Sequence, residues 1–290
     1  MKDLQIFKTK EEFYQEYPSG EVPSNKVTYI VDEEQTQFST NNIDGTIQQI
    51  VGVKASSGGS AKIPVTYNPS GYTKSSNYGT ITFYFQDGTV IGYIVANNSL
   101  TNTNVATMCS KFDLTLADIT MIQMDKYYFN PTDVSGYTSL KAVIYGDNIY
   151  NNGNYSVWSG CTSIEYAAYG RTTTYLGEYN FAKCPNINTI VFANPNLVID
   201  DEDEEDENDL EYSDYAFSQA GKNSGVLDIY SKVTNPWDLD MYTIFSLNVI
   251  ENVHLNLHVP TGYTDKYFAT YKSNWLNYFK SYTIIEDYNY

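Results

Sequence analysis

The chain has 290 residues, 42% of them apolar and only 18% charged, with 29 tyrosines and a net charge of −18. Ten of those negative charges lie in one run, Asp200 to Glu211, which leaves the remainder near −8. No basic stripe is available to neutralise phosphates, so neither nucleic acid nor an anionic membrane surface is an expected partner.

The amino terminus, "MKDLQIFKTKEEFYQEYPSG", is charged from its third residue. It has neither the apolar stretch nor the small-residue cleavage site of a signal peptide, and none is expected. Thr9 is placed to cap a short helix over "KEEFYQEY", which Pro18-Ser19-Gly20 ends. "KVTYIVDEEQTQFST" then reads as two strands around the acidic turn Asp32-Glu33-Glu34, giving a small αβ unit over 1–45.

Residues 46–105 are β-rich. "IQQIVGVKA", "KIPVTYN", "GTITFYFQDG" and "TVIGYIVANN" are short β-branched and aromatic runs separated by Gly-rich or Asn-rich turns. Asp87-Gly88 between two such runs is a strong hairpin signal. A β-sandwich-like (Ig-like) domain is expected here.

From Tyr137 the chain repeats. "YTSLKAVIYGDNI", "CTSIEYAAYGRTT" and "CPNINTIVFANPN" share the frame apolar-x-x-apolar-x-aromatic: Leu140/Val143/Tyr145, Ile164/Ala167/Tyr169, Ile187/Ile190/Phe192, at offsets of 24 and 23 residues. A second landmark recurs, with Trp158 and Phe181 each three residues before Cys161 and Cys184. Such a period marks a leucine-rich-repeat solenoid, in which each coil contributes one short strand stacked ~4.8 Å from the next. A weaker frame follows at Val226/Ile229 and at Ile250/Val253/Leu255, with Phe217 as counterpart of Phe181. Ile187 to Val226 spans 39 residues against 23 in the preceding coil, an excess of 16 that falls in the acidic stretch. Residues 198–213 therefore read as an insertion into one coil.

These repeats resemble BspA-type leucine-rich repeats of Bacteroidetes proteins and their phages. "NFAKCPNINTIVF", "SGCTSIEYAAY" and the ending "LHVPTGYTDKYFATYKSNWLNYF" carry the resemblance. It implies a solenoid over 106–290 with a carboxy-terminal cap over 256–290 containing a short helix. The amino-terminal "FKTKEEFYQEYPSGEVPSNKVTYIVDEEQTQFST" resembles leaders on virion proteins of crAss-like phages. The expected fold class is mainly β and multi-domain: small αβ unit, sandwich-like domain, solenoid with a terminal helix.

Candidate sites are few. His254 and His258, the only histidines, share with Asn256 one face of an alternating strand whose other face is Val253, Leu255, Leu257 and Val259. A polar strand face is favoured over a metal site, because no third ligand is evident. Three cysteines (Cys109, Cys161, Cys184) are an odd, sparse set that predicts thiols in a reducing compartment, with Cys161 and Cys184 packing at equivalent repeat positions. The acidic run fails as a calcium loop, since Asp206 and Tyr212 stand where Gly and Glu are needed, and a solvated insert is expected. No catalytic or cofactor-binding motif occurs. Abundant Tyr and Asn suit a recognition surface, with Tyr145, Tyr166, Tyr169 and Arg171 as candidate binding residues on the repeat strands, although the inward frame of Tyr145 and Tyr169 favours core packing for those two.

Taken with the resemblance, these features predict a non-enzymatic, cofactor-free phage virion protein: a head fibre, capsid decoration or tail-associated component assembled in the bacterial host cytoplasm. Residues 1–45 would bind other virion proteins, and the solenoid a host-surface glycan or protein, in a homo-oligomer. The alternatives are a bacterial surface adhesin and a surface-polysaccharide hydrolase.

Overall fold

A computed structural model describes residues 3–7, 15, 26–31, 38–41, 47–50, 65–69, 78–97, 100–149, 157–173, 180–197, 216–233, 245, 251–268, 276 and 279–288. The chain divides into two compact units at Ser60/Ala61. The first unit holds a four-stranded sheet in the order β1-β2-β3-β4: β1 (Asp3–Phe7), β2 (Lys26–Val31), β3 (Phe38–Asn41) and β4 (Ile47–Ile50). β1 runs parallel to β2, and the other two pairings are antiparallel. The strands expected on either side of Asp32-Glu33-Glu34 are thus β2 and β3. The helix expected over "KEEFYQEY" lies outside the described residues except Gln15, which is helical.

In the second unit, ten strands form one sheet in the order β14-β13-β12-β11-β10-β9-β8-β6-β7-β5. These are β5 (Val65–Tyr67), β6 (Gly79–Phe85), β7 (Val90–Val95), β8 (Ile119–Met124), β9 (Ala142–Tyr145), β10 (Tyr166–Tyr169), β11 (Thr189–Phe192), β12 (Val226–Ser231), β13 (His254–His258) and β14 (Ser281–Ile285). From β8 to β14 every pairing is parallel, one strand per coil. The protein is mainly β, with a carboxy-terminal solenoid-like stack of coils. Among the described residues, the strands of 46–105 do not form a sandwich of their own. β4 belongs to the amino-terminal sheet, and β6 pairs antiparallel with β8, which joins the β6–β7 hairpin to the solenoid sheet. The apolar face of the hairpin, Ile81, Phe83, Phe85 and Ile91, is buried in the same core as the coils. A solenoid's first coil needs such a cover, because its end would otherwise expose apolar side chains.

The hairpin turn follows its residues. Gly88 sits at φ +81°, donates its N–H to Phe85 O (3.0 Å), and Asp87 Oδ1 accepts from Thr89 N–H (2.9 Å). A left-handed glycine closing a three-residue loop is the sequence signature read at Asp87-Gly88. Between β7 and β8, α1 (Asn102–Ser110) is fixed by a reciprocal cap: Thr101 Oγ1 accepts from Asn104 N–H and Asn104 Oδ1 from Thr101 N–H. It buries Val105, Met108 and Cys109.

Register confirms the repeat. Val143 pairs with Ala167, and Ala167 with Ile190; Tyr145 pairs with Tyr169, and Tyr169 with Phe192. The inward aromatic positions form one ladder, Tyr145 on Tyr169 (5.1 Å, 7°) and Tyr169 near Phe192 (6.0 Å, 27°). The landmark aromatics form a second: Phe181 on Phe217 (5.2 Å, 11°), then Phe245 at 6.1 Å. Rings of one ladder meet those of the other edge-on, as Phe181 does with Tyr169 at 6.3 Å and 89°. Each such pair adds roughly 0.5–1.5 kcal/mol beyond its burial.

Ile190 pairs with Ile229, 39 residues on, whereas Ala167 to Ile190 is 23. Phe217 nevertheless stacks on Phe181, 36 residues on against 23 from Trp158 to Phe181, so 13 of the 16 extra residues enter between Leu197 and Ala216, among residues not described, and three between Phe217 and β12. Beyond this point spacing misleads. Val226 is 37% exposed and Leu227 is buried, and Ile229 pairs with Leu257, not Val253. The alternation of "HLNLH" sets which face of β13 is inward, a face that Val253 and Leu257 share, and the pairing with β12 selects Leu257. The terminal helix is α2 (Thr264–Phe268), and β14 continues the sheet beyond it.

Candidate binding face

β12 and β13 alternate strictly. Leu227, Ile229 and Ser231 face the core, as do Leu255 and Leu257, which leaves Asp228, Tyr230, His254, Asn256 and His258 on the outer face. Parallel register sets Asp228 beside Asn256 and Tyr230 beside His258. Asn256 Nδ2 donates to Asp228 Oδ1 at 2.8 Å. The amide oxygen of Asn256 then faces His254 Nε2 at 3.1 Å, which makes Nε2 the protonated nitrogen, and His254 Nδ1 meets Ser281 Oγ at 2.7 Å. A hydrogen-bonded chain therefore crosses three strands.

His258 is the most enclosed member, 8% exposed. Its ring stacks on Tyr230 (4.1 Å, 12°). Nδ1 lies 2.8 Å from Asp287 Oδ1 and Nε2 3.7 Å from Asp228 Oδ1. A carboxylate only accepts, so Nδ1 carries the proton toward Asp287. Tyr288 follows from the carboxy-terminal tail, its ring edge-on to Tyr230 (5.5 Å, 73°) with Lys232 Nζ 5.1 Å from its centroid. Burial, then Asp147 and Tyr230, push the Tyr288 phenol up to about 12. The Lys232 ammonium is held below its ordinary range by burial first and by Arg171 second.

The sequence-predicted residues divide. Tyr145 and Tyr169 are each 1% exposed and belong to the core ladder, so neither lines a surface. Their hydroxyls are knotted inside: Trp158 Nε1–H donates to Tyr145 OH (3.0 Å), and buried Asn180 reaches Tyr145 OH (3.0 Å) and Tyr169 OH (3.3 Å) through Nδ2. Tyr166 does face outward on β10. It is partly exposed, and its phenol is pushed up by burial first, then by Tyr288 and Tyr230. Arg171 stands at the rim, 69% exposed, with its Nε–H donating to Asp147 Oδ2 at 2.7 Å and its backbone N–H to Asp147 Oδ1 at 2.8 Å. This pairing depends on Gly146 and Gly170. A Cβ at Gly170 would stand 2.6 Å from Gly146 C, and one at Gly146 2.6 Å from Met124 O, so only glycine lets successive coils nest this closely.

Comparison with known protein families, with curated proteins and with solved structures finds no match. The repeat arrangement thus stands on the fold itself: stacked coils with a polar, aromatic outer face. The spacing frame places Val226 inward and so hides the outer face of β12; the alternation of "VLDIYS" is the signal for Asp228 and Tyr230, with Lys232 following. Nothing local marks Asp287 and Tyr288.

Other chemistry has little support among the described residues. No group of three or more His, Cys, Asp or Glu converges as a metal site, and no helix is long and apolar enough to cross a membrane. All three cysteines are buried and free, with thiols pushed up by burial, Cys109 to about 12. Thiols held protonated in this way are poor nucleophiles.

Proposed function

We propose that the protein is a non-enzymatic structural and binding component of a virion, a head fibre, capsid decoration or tail-associated protein assembled in the bacterial host cytoplasm. The observation that carries the binding part is the outer face of β10–β13, where Tyr166, Asp228, Tyr230, Asn256 and His258 form one polar, aromatic surface on a rigid stack of strands. Solenoids present such surfaces repeatedly and at fixed spacing, which suits recognition of an extended partner. The amino-terminal unit, with a sheet of its own, suits docking to the particle. A homo-oligomer anchored by this unit would display the solenoid face toward a host-surface glycan or protein.

Mass spectrometry and imaging of purified particles test this reading. The protein is expected in virions, and a chain lacking residues 1–60 is expected to be lost from them. Absence of the intact protein from particles would overturn the virion assignment. Release of reducing sugar from host capsule by the purified protein would overturn the non-enzymatic one.

A further inference from the structure

After β14 the chain turns back over the outer face, and its last described residues are held there by contacts of several kinds. Val259 N–H donates to Ile285 O (2.9 Å) and Tyr288 N–H to Val259 O (3.1 Å), so the tail is tied by backbone on both sides of the crossing. Glu286 Oε1 accepts from Thr264 N–H (3.2 Å) and Oγ1–H (2.6 Å), at the start of α2. Asp287 Oδ1 accepts the hydrogen bond from His258 Nδ1–H, and Tyr288 seats its ring between Tyr230 and Lys232.

We infer that this face is a recognition site for an acidic, tyrosine-bearing peptide segment, filled in cis by residues 286–288, and that the partner it fits is the same tail of a second copy. Every group contacted on the tail is one that any Glu-Asp-Tyr segment carries: two carboxylates, a backbone N–H and a phenol ring. The receiving groups stand on β12, β13 and α2 without the tail, and the chain Ser281–His254–Asn256–Asp228 preorganises them from the opposite side. The tail leaves from β14, the terminal strand in the order of the sheet, so releasing residues 286–288 breaks the Tyr288–Val259 backbone bond and leaves the β13–β14 ladder in place. Exchange of an identical terminal element between copies replaces each contact with its equivalent, and balance between the two states is set by concentration. The inference concerns this face alone and does not depend on where the protein is assembled.

Two full-length variants and one probe test it. Asp287→Asn/Tyr288→Ala disables the tail and leaves the face; Tyr230→Ala/His258→Gln disables the face and leaves the tail. The probe is a fluorescein-labelled peptide of residues 285–290. Because a tethered tail competes at an effective concentration in the millimolar range, the tail-disabled variant is expected to bind the probe at least ~10-fold more tightly than the natural chain. The face-disabled variant should show no binding, and a probe with Asn for its Asp should lose most of its affinity. Mixing the two variants should yield a one-to-one complex by sedimentation that neither forms alone. A tail-disabled variant that unfolds cooperatively yet binds no better than the natural chain overturns the site. Probe binding without a mixed complex overturns the second copy as partner. Should the double variant lose its cooperative transition, Asp287→Asn alone, which keeps the ring and the shape, is held to the same readouts with ~5-fold tighter binding expected.

Discussion

Asn180 is the polar group most deeply committed in this core, and replacing it with leucine tests how the coils are held in register. Its side chain is fully buried and meets Tyr145 OH at 3.0 Å and Tyr169 OH at 3.3 Å, while Trp158 Nε1–H donates to the same Tyr145 oxygen. Leucine matches the volume and removes the amide, so two buried phenols lose it as partner in an apolar setting. Each phenol keeps other contacts and loses one hydrogen bond, worth about 0.5–1.5 kcal/mol, so the two losses place Asn180→Leu at about 1–3 kcal/mol. For a unit of this size that is a fall in Tm of roughly 2–12 °C. Thermal unfolding of Asn180→Leu, Tyr145→Phe and the double variant measures the coupling. The two changes are expected to be non-additive by at least ~1 kcal/mol, since both act on one network. An Asn180→Leu protein as stable as the natural one, or strictly additive effects, would show that the knot between Trp158, Tyr145, Asn180 and Tyr169 contributes nothing.

Gly170→Ala forces a Cβ to within 2.6 Å of the Gly146 backbone and is expected to cost about 1–3 kcal/mol and loosen the Arg171–Asp147 pair, read by thermal unfolding. Lys183 holds φ +59° at the position where the preceding coil has Gly160 at +78°, so Lys183→Gly should stabilise by up to about 1 kcal/mol in chemical denaturation. Deleting residues 200–211 is expected to leave the unfolding midpoint within a few degrees, and a large loss would contradict their reading as an insertion into one coil. For Tyr288 the docked phenol titrates near 12, above its ordinary value of 10, so docking favours the protonated form. The contribution of Tyr288 to docking is therefore fully present below pH 10 and is lost as pH rises from 10 to 12. Absorbance of ionised tyrosine in this range should fall by one phenol in Tyr288→Phe, leaving that of Tyr267, which burial also pushes up to about 12.

Much of this architecture is legible in the sequence because a solenoid is written locally. Each coil repeats its own frame, so Leu140/Val143/Tyr145, Ile164/Ala167/Tyr169 and Ile187/Ile190/Phe192 declare strands and inward faces before any long-range pairing is known. The hairpin at Asp87-Gly88 and the polar face of "HLNLH" are equally local, resting on one left-handed glycine and on strict alternation. The landmark Phe217 is legible in the same way, and it stacks on Phe181.

Tertiary structure alone decided the rest. Whether the hairpin strands β6 and β7 closed on themselves or joined the coils depended on which edge β8 offered, a matter of pairing between distant segments that no local pattern records. The repeat frame turns Tyr145 and Tyr169 inward, and only the structure shows what their hydroxyls meet there, with Asn180 Nδ2 reaching both and Trp158 Nε1–H donating to Tyr145. The outer face acquired its occupant in the same way. Asp287 and Tyr288 lie 29 and 58 residues along the chain from His258 and Tyr230, and only the return of the tail across β13 and β12 brings them together.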